Sequence, residues 1–255
     1  MRIAVLGDIH ANLPALRAVL ADVEQIGADA TFCVGDVVGR GPHPNEVVDE
    51  LRGRGVPTVQ GNWDEAIGMD REQSGALWPT AEAEAAGLAS LAWSATRLTD
   101  ENRAWLRTLP QTLRIELAGR SALFFHGSPL KASEYLWSDR PSRFFARIAS
   151  DEADDLFCFG HTHEAFHRVV GRAHFVAAGS VGCGTDGDAR ARYAVVYIGD
   201  PDIAVGFRSV DYDHHQVVRD LAATGLPVDL MRLAPTAHPH HAYDMHLAQE
   251  LTTGG

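Results

Sequence analysis

The first sixty residues alternate between short apolar runs and longer amphipathic stretches. Residues 2–7 (Arg2-Ile3-Ala4-Val5-Leu6-Gly7) form a nearly continuous apolar run, the pattern of a fully buried strand. Leu13, Leu16, Val19, Leu20, Val23 and Ile26 then recur at helical spacing and predict an amphipathic helix over about 13–26. Asn12 suits its N-cap, Pro14 is tolerated in the first turn, and Gly27 stops it. Thr31–Val34 reads as a second strand, about 44–53 as a second helix, and Val56–Val59 as a third strand. This order predicts parallel β-α-β units with right-handed crossovers.

The middle of the chain, about 64–109, reads as mostly helical. Ala, Glu and Leu dominate 81–92, and Trp93, Leu98, Trp105, Leu106 and Leu109 supply apolar faces. Strands return at 111–117, 121–125, 155–159, 166–170, 173–177, 193–198 and 203–209. Some pair as hairpins, as around Val169-Val170-Gly171-Arg172-Ala173, so the second half is partly antiparallel. No internal repeat or low-complexity linker divides the chain. With 255 residues and 45% hydrophobic content, one α/β domain over 1–255 is expected, carrying a helical insertion at about 64–109. The tail from about Pro235 is polar and includes His238, His240, His241 and His246, and it is expected to be loosely held.

Charge and cysteine content narrow the class. A formal net charge of −12 lacks the basic footprint of a duplex-binding module, so no stable nucleic-acid binding is expected. A phosphate could still bind where bound metals reverse the local sign. The three cysteines form no C-x-x-C pair. Cys33 and Cys158 lie inside apolar runs and read as core thiols, while Cys183 follows a glycine-containing turn and would be reactive only if exposed. The first residues do not read as a signal peptide, and no apolar run reaches the roughly 20 residues of a membrane span. A cytoplasmic location is expected.

The chemistry concentrates in five segments, each placing Asp, Asn or His just after a predicted strand in a turn that contains glycine. They are Gly7-Asp8-Ile9-His10, Gly35-Asp36, Gly61-Asn62-Trp63-Asp64, His126-Gly127 and Gly160-His161-Thr162-His163. Open α/β sheets bind ligands beyond the carboxyl ends of their strands, so five strand tips would converge on one crevice. Two carboxylates, one amide and four imidazoles form a mixed oxygen and nitrogen set suited to divalent transition metals. Seven donors exceed what one open catalytic metal needs, and they suffice for two if a carboxylate bridges.

In this order, the segments resemble those of the calcineurin-like metallophosphoesterase superfamily, and more closely its small prokaryotic phosphodiesterase-type members. Asp8-Ile9-His10-Ala11-Asn12-Leu13-Pro14-Ala15-Leu16, Gly35-Asp36-Val37-Val38-Gly39-Arg40-Gly41-Pro42, Gly179-Ser180-Val181-Gly182 and Asp186-Gly187-Asp188 support the resemblance, which covers about residues 1–210. It implies a four-layer α/β/β/α sandwich of two mixed sheets with a dinuclear site at one edge. By that analogy Asp8, His10 and His163 hold one metal, Asn62, His126 and His161 the other, and Asp36 bridges them. Manganese is the expected occupant, with iron, nickel, cobalt or zinc as alternatives. The implied reaction is attack on phosphorus by a hydroxide bridging two metals about 3.5–4 Å apart. Asp36, Asn62, Asp64 and His126 are the implied catalytic group.

Two positions depart from the pattern. Many relatives carry Gly-Asn-His-Asp, with the His protonating the leaving group, whereas this chain has Trp63, whose indole cannot act as a general acid. Trp63 would either pack at the cleft wall or stack on a base or an aromatic leaving group. Asp64 would orient a ligand His or cap the next helix. Relatives often carry Asn-Pro before Gly179, where this chain has Ala177-Ala178. Gly179, Ser180, Arg40 and Arg190 are candidate substrate contacts, with Arg192 and His43 as weaker ones. The expected activity is a phosphodiesterase acting on a small phosphate ester or nucleotide. Dinucleoside polyphosphate hydrolase and protein phosphatase use the same metal core, and a non-catalytic partner-binding scaffold is the rival of another class. Oligomeric state is not legible.

Overall fold

The computed structural model describes residues 1–184, 187–199, 202–227 and 230–231, so Asp186 and the His-rich tail lie outside the described residues. Two mixed sheets form the centre. The first contains β1 (Arg2–Leu6), β2 (Ala30–Cys33), β8 (Ala191–Ile198) and β9 (Ile203–Val210) in the order β2-β1-β8-β9. The second contains β3 (Thr112–Leu117), β4 (Arg120–Phe125), β5 (Leu156–Phe159), β6 (Ala165–Val170) and β7 (Ala173–Ala178) in the order β3-β4-β5-β7-β6. β1 pairs parallel with β2 and antiparallel with β8. β5 is parallel to both β4 and β7, while β3 and β6 close the sheet as antiparallel edges.

Strand alternation fixes the layers, because successive side chains leave opposite faces. Ile3 and Val5 face Phe124, Cys158, Val176 and Ala178 in the core between the sheets. Ala4 and Leu6 point the other way, toward α1 (Leu13–Gln25) and α2 (Pro44–Gly53). On the far side Leu123, Phe125, Phe157, Phe159 and Phe175 pack with Phe145 of α6 (Ser142–Glu152). The result is the expected α/β/β/α sandwich.

The expected third strand, Val56–Val59, is reduced to one parallel bridge between Cys33 and Thr58. Pro57 has no N–H to extend the ladder, and its carbonyl accepts from Cys33 instead. The expected helical section resolves into α3 (Asn62–Gly68), α4 (Ala81–Arg97) and α5 (Asp100–Thr108), with irregular chain over 69–80. Leu91, Leu98 and Leu106 pack into the same core as α1 and α2. Two helices were not anticipated from sequence, α6 and α7 (His214–Thr224). α7 starts at an Asp213 cap bonded to the Gln216 amide and ends at Gly225, in the left-handed region that glycine favours. Its Val217 and Leu221 pack against Cys183, Leu226, Leu230 and Met231.

Asn12 caps α1 through the Ala15 amide, and its own amide donates to the Gly182 carbonyl at 2.8 Å. Farther along α1, Asp22 accepts hydrogen bonds from Arg208 of β9 and from the Tyr193 hydroxyl of β8. The Arg208 bond holds the Asp22 carboxyl below the usual carboxylate range against an opposing effect of burial, and the Tyr193 bond adds to it. A depressed folded pKa stabilises above the unfolded value of about 3.9 and is lost as pH falls through the folded value. Asp22→Asn should therefore lower stability at neutral pH and flatten its acid limb. Urea titrations across the carboxylate window, about pH 2 to 7, check this; an unchanged slope would contradict the assignment.

Candidate metal centre

The loops after β1, β2, β4 and β5 and the start of α3 meet at one seam between the two sheets. The β1 and β2 loops continue the parallel ladder past the strands, with Asp8 N–H donating to Gly35 O, His10 N–H to Asp36 O and Ala11 N–H to Val37 O. Asp8, His10, Asp36, His161 and His163 all adopt positive φ, between 49° and 69°. Such backbone costs non-glycine residues of the order of 1–3 kcal/mol each and persists only when the surroundings enforce it. Here the enforcement is visible. A Cβ on Gly61 would lie 2.1 Å from the Asp36 amide nitrogen, and one on Gly35 would lie 2.6 Å from the Gly61 nitrogen. Only glycine at both positions lets the β2 loop and α3 touch.

All seven donors predicted from sequence are brought together, and all are 0–3% exposed. His126 Nε2 lies 3.0 Å from Asn62 Oδ1, 3.3 Å from Asp36 Oδ2 and 3.9 Å from Asp8 Oδ1. His163 Nε2 lies 3.6 Å from Asp8 Oδ1 and 3.2 Å from His10 Nε2, which is 3.7 Å from Asp36 Oδ2. Asp8, His10 and Asp36 form one group with ligand atoms within 4.8 Å of one another, and Asp36, His126 and His161 form another. Asp36 belongs to both, the placement a bridging carboxylate needs.

The surrounding bonds aim the donors inward. His126 Nδ1 donates to the Val34 carbonyl at 2.7 Å, which turns Nε2 toward the cluster. The Asn62 amide donates to the Ser74 carbonyl at 3.0 Å, which turns Oδ1 toward His126. Asp8 accepts from the His161 amide through both oxygens, and Asp36 Oδ1 accepts from the Trp63 amide at 2.9 Å. Sequence reasoning missed Ser74 and also Tyr135, whose ring lies 3.8 Å from the His161 ring and whose hydroxyl accepts from the Leu77 amide.

Electrostatics favour a bound cation. Burial, with the Asp36 charge adding to it, pushes Asp8 up to about 7 despite the opposing pull of His126. Burial holds His10, His161 and His163 well below the ordinary imidazole range, and neighbouring cationic groups push the same way. They are neutral ligands at physiological pH. Burial opposes charge on His126 too, but Asp36 and Asp8 outweigh it and lift the ring to about 9. Buried carboxylates beside neutral imidazoles need compensating positive charge. The buried His161 Nε2 has no hydrogen-bond partner among the described residues. The donor set and the orphaned nitrogen both fit divalent metal.

Other sequence candidates land elsewhere. The Asp64 carboxylate faces no ligand His; it accepts from the Val37, Val38 and Gly61 amides and so caps α3 while bracing the Asp36 loop. Trp63 is 1% exposed, packed edge-on to His10 and Trp78 and against Gly39, so no face remains for a stacked base. Arg40 is buried beside the site, its guanidinium carbon 5.5 Å from the Trp63 ring and 5.2 Å from the Trp78 ring. Arg190 is exposed and bonded to Asp188, which also pairs with Arg192, so both charges are engaged on the loop. His43 pairs with Asp220 of α7 at 3.0 Å. Ser180 Oγ donates to the Asp8 carbonyl, and Gly179 packs against Ala165 and Arg192; both shape the loop. Cys183 is buried, and its thiol is pushed up to about 11 by burial against the opposing effect of Arg40, to which it is hydrogen-bonded.

Asp64→Ala should strand three buried amides and release the Asp36 loop. A stability loss of about 2–4 kcal/mol is expected, with metal affinity reduced roughly 10–100-fold. Urea denaturation and calorimetric metal titration measure the two effects; undiminished metal affinity would show that the brace is irrelevant to the site.

Comparison with known proteins agrees with this geometry. The model of the calcineurin-like phosphoesterase superfamily domain matches residues 1–200. An uncharacterised protein of Methanocaldococcus jannaschii is 28% identical over 242 residues, covering 88% of this chain and 93% of its own. The crystal structure of a metallophosphoesterase from Sphaerobacter thermophilus is 29% identical with a TM-score of 0.69, covering 92% of this chain and 98% of that one. A hypothetical protein from Pyrococcus horikoshii OT3 shares the fold with a TM-score of 0.77 at 21% identity, covering 90% and 96%. No helix among the described residues is long and apolar enough to cross a membrane. The chain belongs to the calcineurin-like phosphoesterase superfamily and is a metal-dependent phosphoric ester hydrolase.

Proposed function

We propose that the chain is a dinuclear phosphodiesterase acting on a small phosphate ester or nucleotide. The observation that carries this reading is the sharing of Asp36 between two groups of buried donors. On this reading Asp8, His10 and His163 hold one divalent ion, Asn62, His126 and His161 the other, and Asp36 both. Ions bound there supply Lewis-acid activation of water and neutralise charge growing on the phosphoryl oxygens. Imidazole, carboxylate and amide donors suit manganese, iron, cobalt, nickel and zinc alike, with manganese the first to test.

The chain's own residues do the positioning. Val34 and Ser74 fix the orientations of His126 and Asn62. Arg40 adds a fixed positive charge next to the site, suited to a phosphate oxygen. Trp63 offers no proton, so esters with good leaving groups are the favoured substrates. Three free thiols fit a reducing cytoplasm as the location.

The test is a metal-stripped protein assayed on bis-p-nitrophenyl phosphate and p-nitrophenyl phosphate with Mn²⁺, Zn²⁺, Ni²⁺ or Mg²⁺ restored singly. Metal-restored turnover is expected, faster on the diester. Asp36→Asn and Asn62→Ala should each lose about 100-fold or more, at or beyond the cost of removing an outer-sphere partner. Full activity in Asp36→Asn would end the bridging assignment, and faster monoester hydrolysis would overturn the diesterase half.

A further inference from the structure

One buried group near the centre has no place in the seven-donor set. Cys183 is 1% exposed, and its position is set by the same loop that carries Asp8. Its amide donates to Ser180 Oγ, whose hydroxyl donates to the Asp8 carbonyl, both at 2.9 Å. The next residue back, Gly182, packs so tightly on the Ile9 carbonyl that a Cβ would lie 1.8 Å from its oxygen. Asn12 adds a bond to the Gly182 carbonyl. The thiol is therefore held in register with Asp8 and His10.

The ligand atoms of Cys183, His10 and His163 all lie within 4.8 Å of one another. Zinc takes nitrogen at about 2.0–2.1 Å and sulfur at about 2.3 Å, so two donors at a tetrahedral angle on one ion are about 3.3–3.6 Å apart. That span falls inside the 4.8 Å bound, so the three atoms are grouped closely enough to face one ion. Two further observations point the same way. His163 turns Nε2 toward His10 Nε2, 3.2 Å away, so both buried imidazoles present that nitrogen to the same space. A hydrogen bond from Arg40 further fixes the Cys183 side chain. Cys33 and Cys158 are core residues of β2 and β5.

We propose that Cys183 is a thiolate ligand to the ion held by Asp8, His10 and His163, and that it biases this position toward thiophilic metals such as zinc, cobalt(II) or iron(II). The inference rests on the metal reading above. Binding replaces the S–H bond with an S–metal bond and releases one proton to solvent, with no change of oxidation state. A soft sulfur donor disfavours manganese at this position, while the position held by Asn62, His126 and His161 keeps only oxygen and nitrogen donors.

The experiment uses the full chain, metal-stripped under reducing conditions and titrated with Co²⁺. The expected result is an intense near-ultraviolet sulfur-to-cobalt charge-transfer band that disappears in Cys183→Ser and Cys183→Ala while the visible cobalt bands remain. Zinc-edge X-ray absorption on the wild-type chain should show a sulfur shell at about 2.3 Å, a readout that does not depend on any variant folding. Cobalt bound with no charge-transfer band and no sulfur shell would overturn the thiolate ligand and leave the metal reading intact. A band that survives in both variants would assign it to another thiol and overturn the inference equally. Failure to bind cobalt or zinc at all would sink the metal reading itself, and this inference with it.

Discussion

The structure depends on keeping two carboxylates, an amide and four imidazoles dry at the seam between two sheets. Water cannot screen these groups, so each must be tied to the backbone or to a cation. The ties cross the seam. His126, at the end of β4 in the second sheet, donates to the Val34 carbonyl in the first. Asp8, at the end of β1 in the first sheet, accepts from the His161 amide in the second. Remove either tie and the sheets still share an apolar core, but the donors no longer converge.

Convergence is bought with backbone strain. Five of the seven donors sit at positive φ, a conformation that non-glycine residues adopt only under constraint. Neighbouring glycines allow the loops to approach one another. Asp64 then locks the most crowded junction by gathering three amides onto one carboxylate. Its burial, with the adjacent Asp36 charge adding, pushes the group up to about 7. A carboxylate in that position is costly without its three donors, so its location is a consequence of the loop geometry it maintains.

The strands and the seven donors were legible because both leave local signals. Apolar runs four to six residues long followed by Gly-Asp, Gly-His or His-Gly need no tertiary information to be read. The third strand misled because Val56–Val59 has the right composition and Pro57 the wrong donor inventory. α6 was missed because only Phe145 among its residues is fully buried, so its apolar period is faint. α7 carried legible marks, Asp213 before it and Gly225 after it, that were passed over. Arg190 was misplaced because Asp188, two residues away, captures it, a competition that spacing alone does not rank. Ser74 and Tyr135 act through a backbone carbonyl and a ring face, neither of which their sequence context marks.

The irregular segment after α3 shows why Trp63 and Arg40 have to be considered together. Trp78 from this segment lies against Trp63, and Arg40 sits over both rings. Gly87 of α4 leaves room for the Trp78 ring, since a Cβ there would lie 2.1 Å from it. Where relatives place a titratable imidazole, this chain places an indole that anchors a permanently charged guanidinium beside the donors. A proton donor at such a site helps only while it is protonated. A guanidinium stabilises negative charge without transferring a proton. On the proposed reading the exchange trades leaving-group protonation for fixed electrostatics, and the aromatic pair that holds Arg40 is built partly from the segment that follows Asn62.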